Sequence, residues 1–452
     1  MIKVITYGTF DMLHYGHIRL LERLRELGDY VIVGITTENF DLNRGKISTC
    51  QSLMERVQAV KNTGLADEVI VEEYEGQKID DIRKYNIDIF AIGSDWIGKF
   101  DYLNEYCKVI YLERTEGVSS TQLRNKLYSI NLGIVGYTSV INKFISESKY
   151  VSSFNIKGIC ISNNEKFEDV NNLLSKNTIE FFTDNYDELL NNVDAIYIFI
   201  SPNKHYEYVK KALQRNVHVI CETPITLSKE ETIELYNIAS NKNVILFEAI
   251  KTGYFVAFSR LISLVKSGII GDVKSVDVTC TSLETNNYWS LSKKDAGGSV
   301  TSWGPYALLV VFKILGILYE DIQFTSYFEN ENNVDLFTKI DLRYSKAVAT
   351  IKVGLGVKSE GDLVISGTEG YIYVPSPWWK MDYFEVRYEN FNNNKRYFYQ
   401  LDGEGLRYEQ SEFVKCIKEK SNNLFIEKEI SIEISQVMER FLYGKDDNRF
   451  KI

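Results

Sequence analysis

Two histidines three residues apart, His14 and His17, lie in the segment GTFDMLHYGH at residues 8–17. This segment stands between a predicted buried strand, residues 3–7, and a helical pattern that runs on from His17. In an open α/β sheet, ligands bind beyond the carboxyl ends of the strands, and a helix N-terminus there offers N–H groups and partial positive charge to phosphates. Residues three apart share one face of a helical turn, so both imidazoles could donate hydrogen bonds to the same phosphate. The pattern indicates phosphoryl-type transfer by positioning and charge stabilisation, without a covalent step.

The glycines of the same segment support a site for a nucleotide. Gly8 and Gly16 have no side chain, so the backbone around them can approach a ligand closely. We add Thr9 and Phe10, which stand between the strand and the histidines, to the predicted nucleotide site. The alternative is a pair of structural histidines beside a strand end. The glycines, the position and the spacing together favour the chemical interpretation.

Predicted strands and helices alternate after this segment. Strand-like runs occur at residues 30–35, 69–71, 87–92 and 109–112, with helical patterns between them and a last helix starting near Ser119. This alternation predicts a doubly wound parallel sheet.

The alternation restarts at Gly133–Gly136, which is typical of a strand that ends in a turn. Further strand-like runs follow at residues 156–161, 195–200, 218–221 and 244–247. From about Val273 the runs are long, aromatic and β-rich without intervening helices, which predicts an open sheet of the α+β type.

We therefore predict an α/β fold with two doubly wound parallel, Rossmann-like sheets followed by an α+β open-sheet module. The predicted domains are residues 1–130, 131–250 and 251–452. The length of 452 residues allows about two to four domains.

The overall charge and the cysteines exclude several classes of partner. The net charge of −10 opposes binding to nucleic acid or to anionic lipid, so an anionic substrate needs a local basic pocket. We expect neither a signal peptide nor membrane insertion. The six cysteines are dispersed without a CxxC pair, which favours free thiols in a cytoplasmic protein over a cysteine zinc site.

Three segments of the first 130 residues resemble one known family. They are ITYGTFDMLHYGHIRLLERLRELGDY, GSDWIGKFDYL and YLERTEGVSSTQLR. The chain here resembles nucleotidyltransferases with the HxGH signature, and within them the glycerol-3-phosphate cytidylyltransferase branch. The HxGH motif alone would leave adenylyltransferases open, and the other two segments favour the cytidylyl branch. The resemblance implies that CTP and glycerol 3-phosphate, or a related polyol phosphate, give a CDP-polyol and pyrophosphate. The branch makes CDP-glycerol for teichoic acids and similar polymers.

The resemblance also implies roles for cations beyond the histidines. Arg44 and Lys46 follow the second predicted strand, where the family carries a basic loop that closes over the triphosphate. The loop here has fewer lysines than the family pattern, and a solvated loop is the alternative. Arg114 could bind a phosphate through two parallel hydrogen bonds. The β- and γ-phosphates would meet a helix start with three hydroxyl groups, those of Ser119, Ser120 and Thr121.

Three further residues of this part resemble positions near the base, the acceptor or the metal. Asp95 and Trp96 resemble residues near the cytosine base and the acceptor site. Asp11 is assigned to the acceptor or to Mg²⁺, the cofactor that this reaction implies. A tryptophan at such a place is more often part of the core.

Residues 131–452 resemble the glucose–fructose oxidoreductase, inositol dehydrogenase and MocA family. The resemblance runs in order through ISPNKH, HVICETPITLSKEE, DAGGSVTSWGPYAL and ISGTEGYIYVPSPWW. It predicts a second pocket with six residues, namely Gly136, Asn203, His205, Glu222, Lys251 and Tyr306. For His205 a ligand contact and a structural role at a helix start are equally open.

This second part departs from the family where the family binds NAD(P). Only the first glycine of the glycine-rich turn remains, and Thr138 stands where the second is expected. The second strand ends as ICISNN, without a carboxylate for the NAD ribose, although Ser162 and Asn163 could tolerate NADP. Thr223 replaces the lysine of the family's EKP motif, and Ser302 replaces its later aspartate. Tyr306 matches a tyrosine that some branches use as acid or base.

Two functions stay open for the second part. A degenerate module that binds a sugar or nucleotide, or that holds an oligomer together, is favoured by the missing lysine and glycines. The alternative is a bifunctional enzyme whose NAD(P)-dependent dehydrogenase produces the polyol phosphate acceptor, with Lys251 in place of the lost ammonium group. We also expect a homo-oligomer assembled through residues 273–452, because aromatic patches often mark partners. The aromatic residues taken as exposed are Trp378, Trp379, Tyr383 and Tyr388, with filling of the back of the sheet as the alternative.

Overall fold

The computed structural model describes residues 1–37, 51–74, 76–113, 129–136, 138–151, 153–161, 179–283, 289–329, 333–399, 401–421, 424–444 and 447–451. The chain divides into two compact units. The first comprises Met1–Ser129 with Tyr150–Ser153, and the second comprises Ile130–Lys149 with Phe154–Ile452. The predicted division of the second unit at residue 250 stays a prediction.

The first unit is built on a five-stranded sheet in which all paired strands are parallel, in the order β3-β2-β1-β4-β5. Its strands are β1 (Lys3–Gly8), β2 (Tyr30–Thr36), β3 (Glu68–Glu72), β4 (Ile89–Gly93) and β5 (Lys108–Leu112). Its described α-helices are α1 (Tyr15–Leu27), α2 (Leu53–Asn62) and α3 (Gln77–Tyr85). The strand order reverses at β1, so the carboxyl ends of β1 and β4 meet at a topological switch point, where open α/β sheets bind ligands.

Helix α1 covers one face of this sheet. Its apolar residues Leu21 and Leu24 are fully buried against the strands. The helix begins two residues earlier than predicted, because the His14 side chain caps its N-terminus. It ends at Leu27, before Gly28, where an added Cβ would lie 2.7 Å from the carbonyl oxygen of Ile2. Glycine is therefore required for the tight return of the chain into β2.

The second unit opens with a six-stranded parallel sheet in the order β11-β10-β9-β6-β7-β8. Its strands are β6 (Ile130–Val135), β7 (Phe154–Cys160), β8 (Phe181–Thr183), β9 (Ala195–Ile198), β10 (His218–Glu222) and β11 (Leu246–Ala249). Its described α-helices are α4 (Ser139–Ser148), α5 (Tyr186–Leu190), α6 (His205–Gln214) and α7 (Lys229–Lys242). The switch point here lies between β6 and β9.

A nine-stranded mixed sheet follows, in the order β19-β18-β17-β16-β12-β15-β14-β13-β20. Its strands are β12 (Val273–Ser282), β13 (Asp321–Phe328), β14 (Asp335–Arg343), β15 (Val348–Leu355), β16 (Leu363–Gly367), β17 (Tyr371–Val374), β18 (Tyr383–Arg387), β19 (Lys395–Phe398) and β20 (Asp447–Lys451). The helices of this part are α8 (Val256–Lys266), α9 (Ser299–Leu315), α10 (Leu406–Glu419) and α11 (Lys428–Leu442). The predicted fold class is confirmed.

Helix α9 is the main core helix of the second unit. The segment Lys293–Leu315 is long and apolar enough to cross a membrane by length and composition only, and 72% of its most apolar window is buried inside the structure. Such burial is typical of the core helix of a globular protein.

The predicted exposure of the aromatic residues after β17 is wrong for both tryptophans. Trp378 is fully buried and Trp379 is 8% exposed. The indole N–H of Trp378 donates to the carbonyl oxygen of Thr279, 3.1 Å away, on strand β12. Tyr383 and Tyr388 are half-buried. The two tryptophans therefore fill the core behind the sheet, as in the alternative interpretation.

Four cysteine thiols are buried in the second unit, on β7, β10, β12 and α10, namely Cys160, Cys221, Cys280 and Cys416. All four are free thiols. Burial raises the pKa of Cys160 to about 11 and that of Cys416 to about 12. These thiols are therefore protonated and shielded from reagents in solution.

Candidate functional site

The predicted signature segment forms the turn from β1 into α1. Phe10 and Met12 both have positive φ angles, 51° and 49°. Residues other than glycine adopt this conformation only when the surrounding structure holds them there. The Phe10 ring is 2% exposed, and an added Cβ on Gly8 would lie 3.0 Å from it. Gly8 therefore leaves room for the ring that packs beneath the turn.

The two histidines lie stacked at the start of α1. Their ring centroids are 3.9 Å apart, with an angle of 21° between the planes. The Nδ1 of His14 accepts a hydrogen bond from the backbone N–H of Gly16 at 3.1 Å. The Nδ1 of His17 accepts from the backbone N–H of His14 at 3.4 Å. This is a reciprocal capping box built from two histidines.

These hydrogen bonds select one tautomer for each ring. A neutral imidazole carries its proton on one nitrogen, and the nitrogen that accepts a hydrogen bond is the other one. Because both Nδ1 atoms accept from backbone N–H groups, the proton of each ring lies on Nε2. The pair therefore presents two Nε2–H donors that are oriented by the backbone itself.

A buried arginine, which the sequence analysis did not single out, anchors this turn. Arg56 of α2 is fully buried and donates to the carbonyl oxygens of Thr9 at 2.9 Å and Thr36 at 2.8 Å. Its Nε donates to the carbonyl oxygen of Gln51 at 3.2 Å. One guanidinium thus ties the signature turn to the end of β2 and the start of α2. In the sequence, the position of Arg56 on an otherwise amphipathic helix is the only signal that could have indicated this anchoring role.

Asp11 lies inside the same network. Its side chain is 2% exposed, and its Oδ1 accepts a hydrogen bond from the backbone N–H of Gln51 at 3.0 Å. The described residues contain no group of three or more histidine, cysteine, aspartate or glutamate side chains that could hold a metal ion. Proteins often bind Mg²⁺ through one or two carboxylates together with substrate phosphates, and a single carboxylate such as Asp11 fits that mode.

Asp95 and Trp96 follow β4, the neighbour of β1 at the switch point. They lie in a single 3-10 turn, Ser94–Trp96. Asp95 is exposed, and the half-buried indole of Trp96 packs on Phe100 with ring centroids 5.7 Å apart. Because the ends of β1 and β4 are adjacent, the sheet brings these residues to the same edge as the histidines.

Six of the predicted site residues lie outside the described residues. They are Arg44, Lys46, Arg114, Ser119, Ser120 and Thr121. In the chain they follow β2 and β5, so their assignment stays a prediction.

A second buried charge network in the first unit was also not predicted. The Lys78 ammonium pairs with Glu72 and lies 4.6 Å from the centroid of the Tyr7 ring. The Tyr7 hydroxyl donates to Asp81 at 2.8 Å. Burial, and then the charge of Asp81, raises the pKa of Tyr7. The network joins α3 to the last buried residues of β1, so it supports the strand that leads into the signature turn.

The second unit contains a cavity of about 650 Å³ between the six-stranded sheet and the nine-stranded sheet. Of the residues predicted for a second pocket, four line it, namely His205, Glu222, Lys251 and Tyr306. The size is typical of a small-molecule site.

Gly136 and Asn203 are not among the residues that line this cavity, and their assignment to a second pocket stays a prediction. An added Cβ on Gly136 would lie 2.1 Å from the carbonyl oxygen of Phe199, so the glycine is required by strand packing. The exposed Asn203 side chain donates to the carbonyl oxygen of Lys294 at 3.0 Å.

His205 has a structural role at the cavity wall. It is fully buried, and its Nδ1 and Nε2 lie 2.8 Å and 3.1 Å from the carbonyl oxygens of Pro224 and Ile200. Burial lowers the pKa of His205. Both ring nitrogens are thus engaged by the backbone at the start of α6.

Acidic groups are concentrated under the floor of the cavity. Burial raises the pKa of Glu222 to about 7, and the Glu222 carboxylate accepts a hydrogen bond from Tyr197. Thr223, in the place of the expected lysine, donates to Glu248 at 2.8 Å. Burial also raises the pKa of Glu409, whose carboxylate oxygens have no hydrogen-bond partner in the described part of the chain.

The described residues of the turn after β6 depart from the family's glycine-rich pattern. Thr138 stands at the N-cap of α4 with a buried hydroxyl that has no hydrogen-bond partner in the described part. Ile141, where the family has its third glycine, is fully buried. Ser162 and Asn163, where the ribose would bind, lie outside the described residues. Two of the three glycine positions of the family's turn thus carry side chains here, those of Thr138 and Ile141.

Known proteins resemble the first unit closely. A family model described as cytidylyltransferase-like matches residues 5–158. The glycerol-3-phosphate cytidylyltransferase of Bacillus spizizenii is 53% identical over 130 residues, which cover 29% of this chain and 100% of that protein.

The second unit resembles oxidoreductases. Two family models match it, described as oxidoreductase family, NAD-binding Rossmann fold (residues 130–250) and as GFO/IDH/MocA C-terminal domain (residues 258–373). The trans-1,2-dihydrobenzene-1,2-diol dehydrogenase of Xenopus laevis is 26% identical over 248 residues, covering 51% of this chain and 72% of that protein. A solved structure of a 3-ketoreductase from Actinomadura kijaniata has a TM-score of 0.64 at 15% identity, covering 71% of this chain and 99% of that one. At that identity the likeness shows the fold alone.

Proposed function

We propose, because this chain belongs to the cytidylyltransferase-like family, that it makes CDP-glycerol from CTP and glycerol 3-phosphate and releases pyrophosphate. The first part is a nucleotidyltransferase domain, and oxidoreductase-like domains follow it in the same chain. A related polyol phosphate is the alternative acceptor. We place the reaction in the cytoplasm and its product in teichoic acid or capsule synthesis.

The stacked histidine pair at the switch point carries this proposal. An oxygen of the acceptor phosphate attacks the α-phosphorus of CTP, and the bond from that phosphorus to the bridging oxygen of the β-phosphate breaks. His14 and His17 donate their Nε2–H groups to the α-phosphate oxygens, where negative charge increases in the transition state. Fixed donors lower the barrier because they need no reorganisation during the reaction.

The remaining assignments of the site complete the reaction. Arg44, Lys46 and Arg114 neutralise the negative charge of the departing pyrophosphate. The hydroxyl groups of Ser119, Ser120 and Thr121 donate hydrogen bonds to its oxygens. Asp95 and Trp96 contact the base and the acceptor. Asp11 holds Mg²⁺, which shields the charge of the phosphates when bound.

The test is pyrophosphate release by the full chain with CTP and a panel of acceptors. The panel contains glycerol 3-phosphate, glycerol 2-phosphate and a pentitol phosphate, with ATP as the competing nucleotide. We expect the highest kcat/KM with CTP and glycerol 3-phosphate, and no turnover without Mg²⁺. Preference for ATP with every acceptor would overturn the cytidylyl assignment. Preference for a pentitol phosphate would change the assigned acceptor and leave the cytidylyl assignment intact.

For the second part, the proposal is that it binds NAD(P)H weakly or not at all. Thr138 in the glycine-rich turn and Thr223 in the place of the lysine support this. The alternative, a dehydrogenase that makes the polyol phosphate, is favoured by Lys251 and Tyr306, which line one cavity. NADPH fluorescence titrated with the full chain distinguishes the two. Micromolar binding, together with NADPH oxidation by a ketose or aldose phosphate, would establish the bifunctional alternative.

A further inference from the structure

We propose that the cavity of the second unit binds a phosphorylated polyol, free or attached to a nucleotide, through the ammonium groups of Lys143, Lys251 and Lys380. This proposal depends neither on cytidylyl transfer by the first unit nor on hydride transfer by the second. It concerns ligand binding only, and it is based on the charged, aromatic and hydroxyl side chains that line the cavity.

Three lysines from separate elements converge on one carboxylate. The Nζ atoms of Lys143, Lys251 and Lys380 lie 3.1, 3.9 and 2.5 Å from the carboxylate oxygens of Glu404. Lys143 lies on α4, Lys251 opens a 3-10 turn after β11, and Lys380 ends another between β17 and β18. Burial alone would raise the pKa of Glu404, but hydrogen bonds from Lys380 and Lys143 and the charge of Lys251 lower it to about 2. One negative charge thus faces three positive ones.

The side chains that line the cavity include more cationic than anionic groups. Its lining contains four lysines, the fourth being Lys358, and two carboxylates, Glu222 and Glu404. The raised pKa of Glu222, about 7, leaves that carboxyl partly protonated at neutral pH. The chain overall has a net charge of −10, so the cationic lining does not follow from the composition. A phosphate dianion is the natural complement of such a cluster.

Lys251 is the most buried of the three lysines that contact Glu404. Its side chain is 17% exposed, and burial and then the charge of Lys380 lower its pKa, while Glu404, Glu409 and Glu222 oppose the change. A buried ammonium group is unfavourable unless an anion pairs with it. Its carboxylate contact at 3.9 Å is the longest of the three lysine contacts with Glu404. A bound phosphate would supply the missing negative charge.

The remaining walls suit a polyol. Four aromatic side chains contribute to the apolar part of the lining, namely Phe199, Trp289, Trp303 and Trp379. The hydroxyl of Thr301, which also lines the cavity, is buried and has no hydrogen-bond partner in the described part of the chain. Tyr306 adds a second hydroxyl. Aromatic surface with a few buried polar groups is the usual composition of a small-molecule site, and here it fits the C–H and O–H groups of a polyol.

The tryptophans give a local readout of binding. Four of the five tryptophans lie in the second unit, three of them in the cavity wall, and the fifth is Trp96. In a full chain with Trp96→Phe, fluorescence therefore reports on the second unit whatever binds to the first. The probes are glycerol 3-phosphate, CDP-glycerol, inorganic phosphate, neutral glycerol and NADPH. The two nucleotides absorb ultraviolet light, so their binding is measured by calorimetry, and only the binding that Lys251→Met or Lys380→Met weakens is assigned to the cavity.

We expect saturable binding of glycerol 3-phosphate or CDP-glycerol, weaker binding of inorganic phosphate, and no response to glycerol. Stronger binding of one of the first two identifies the free or the nucleotide-bound source. Lys251→Met and Lys380→Met should each weaken binding about tenfold or more, because each removes a charged hydrogen bond. Lys242→Met, at an exposed helix end, is the matched control. Glu404→Gln should tighten binding, because it removes the anion that competes with phosphate.

Three results would overturn the proposal. One is the absence of any saturable response to the phosphorylated probes in a chain whose circular dichroism is that of the folded protein. A second is equal binding of glycerol and glycerol 3-phosphate. A third is NADPH binding that these lysine variants abolish while polyol phosphates do not compete, because the cluster would then serve a dinucleotide.

Discussion

His14 illustrates how a single side chain can serve both the fold and the reaction. Its Nδ1 caps α1 by accepting a hydrogen bond from the backbone N–H of Gly16, and its Nε2–H is the group proposed to donate a hydrogen bond to a phosphate oxygen. The sequence indicated the pair through its spacing and its position after a strand. It could not show that the histidines cap their own helix, because this depends on rotamers that only the folded turn fixes.

Replacing His14 by asparagine should separate these two roles. Asparagine caps helices well, so we expect the free energy of unfolding to change by less than about 1 kcal/mol. The distal donor is lost, so kcat for CTP-dependent pyrophosphate release should fall about 10²–10³-fold. Steady-state kinetics and urea unfolding measure the two effects. Tyr15→Phe, at an exposed neighbour, is the control. Near-full turnover in His14→Asn would remove this histidine from the mechanism.

Glu222 is predicted to make the second unit less stable at alkaline pH. Its folded pKa of about 7 lies above its ordinary value of 4.5, so the folded state favours the protonated form. The stability that this group contributes is present below pH 4.5 and is lost as the pH rises through 7.

Glu222→Gln should therefore raise the free energy of unfolding at pH 8 by about 1–3 kcal/mol relative to the wild type, and change it little at pH 4.5. Urea unfolding followed by tryptophan fluorescence at both pH values measures this. Glu207→Gln, at an exposed position on α6, should show no such pH-dependent difference. An equal effect at both pH values would contradict the proposed titration.

At the scale of elements, the alternation of strands and helices was enough to predict both parallel sheets. Exact boundaries were not predictable, because burial by distant residues decides them. The fourth strand begins at Ile89, two residues after the predicted start. The parallel pairing of β12 with β15 inside the mixed sheet also depends on long-range contacts.

The same limit applies to the elements that hold the site. Arg56 reaches the turn from a helix more than forty residues away in the chain, as the separation of 47 from Thr9 shows. No local pattern marks such a contact. Trp378 and Trp379 were misassigned for a related reason, because their sequence context does not show that the chain folds them back under β12.

Arg56→Met should damage both the stability of the first unit and its activity. The change removes the hydrogen bonds that Arg56 donates to the carbonyl oxygens of Thr9, Thr36 and Gln51. We expect a loss of about 2–4 kcal/mol in the free energy of unfolding and at least a tenfold fall in kcat. Thermal unfolding by circular dichroism and pyrophosphate release check this. Lys61→Met removes an exposed charge from the same helix as the control, and an equal effect there would argue against anchoring by Arg56.

At the scale of the whole molecule, the formation of a homo-oligomer stays a prediction, but the residues that support it differ from those first chosen. The tryptophans first chosen are buried, whereas Phe391 and Phe398 are 75% and 69% exposed near the edge strand β19. An exposed edge with large apolar side chains favours pairing with another copy.

We expect light scattering of the full chain at micromolar concentration to give at least a dimer. The double variant Phe391→Asp and Phe398→Asp should lower the mass, because charge on the edge opposes pairing. The pair Tyr74→Asp and Tyr102→Asp, two exposed tyrosines of the first unit, is the matched control. A monomeric wild type would end the assembly prediction, and an oligomer that the edge variant leaves intact would place the interface elsewhere.

The buried thiols of Cys160, Cys221, Cys280 and Cys416 can report on local opening of the second unit. Each sits on a different element, and none can meet an alkylating reagent until that element opens. Mass spectrometry of alkylated peptides, taken over time in native buffer, would therefore rank four parts of one unit by their opening free energies. A ligand in the cavity would slow the labelling of those elements that it holds closed, without any engineered probe.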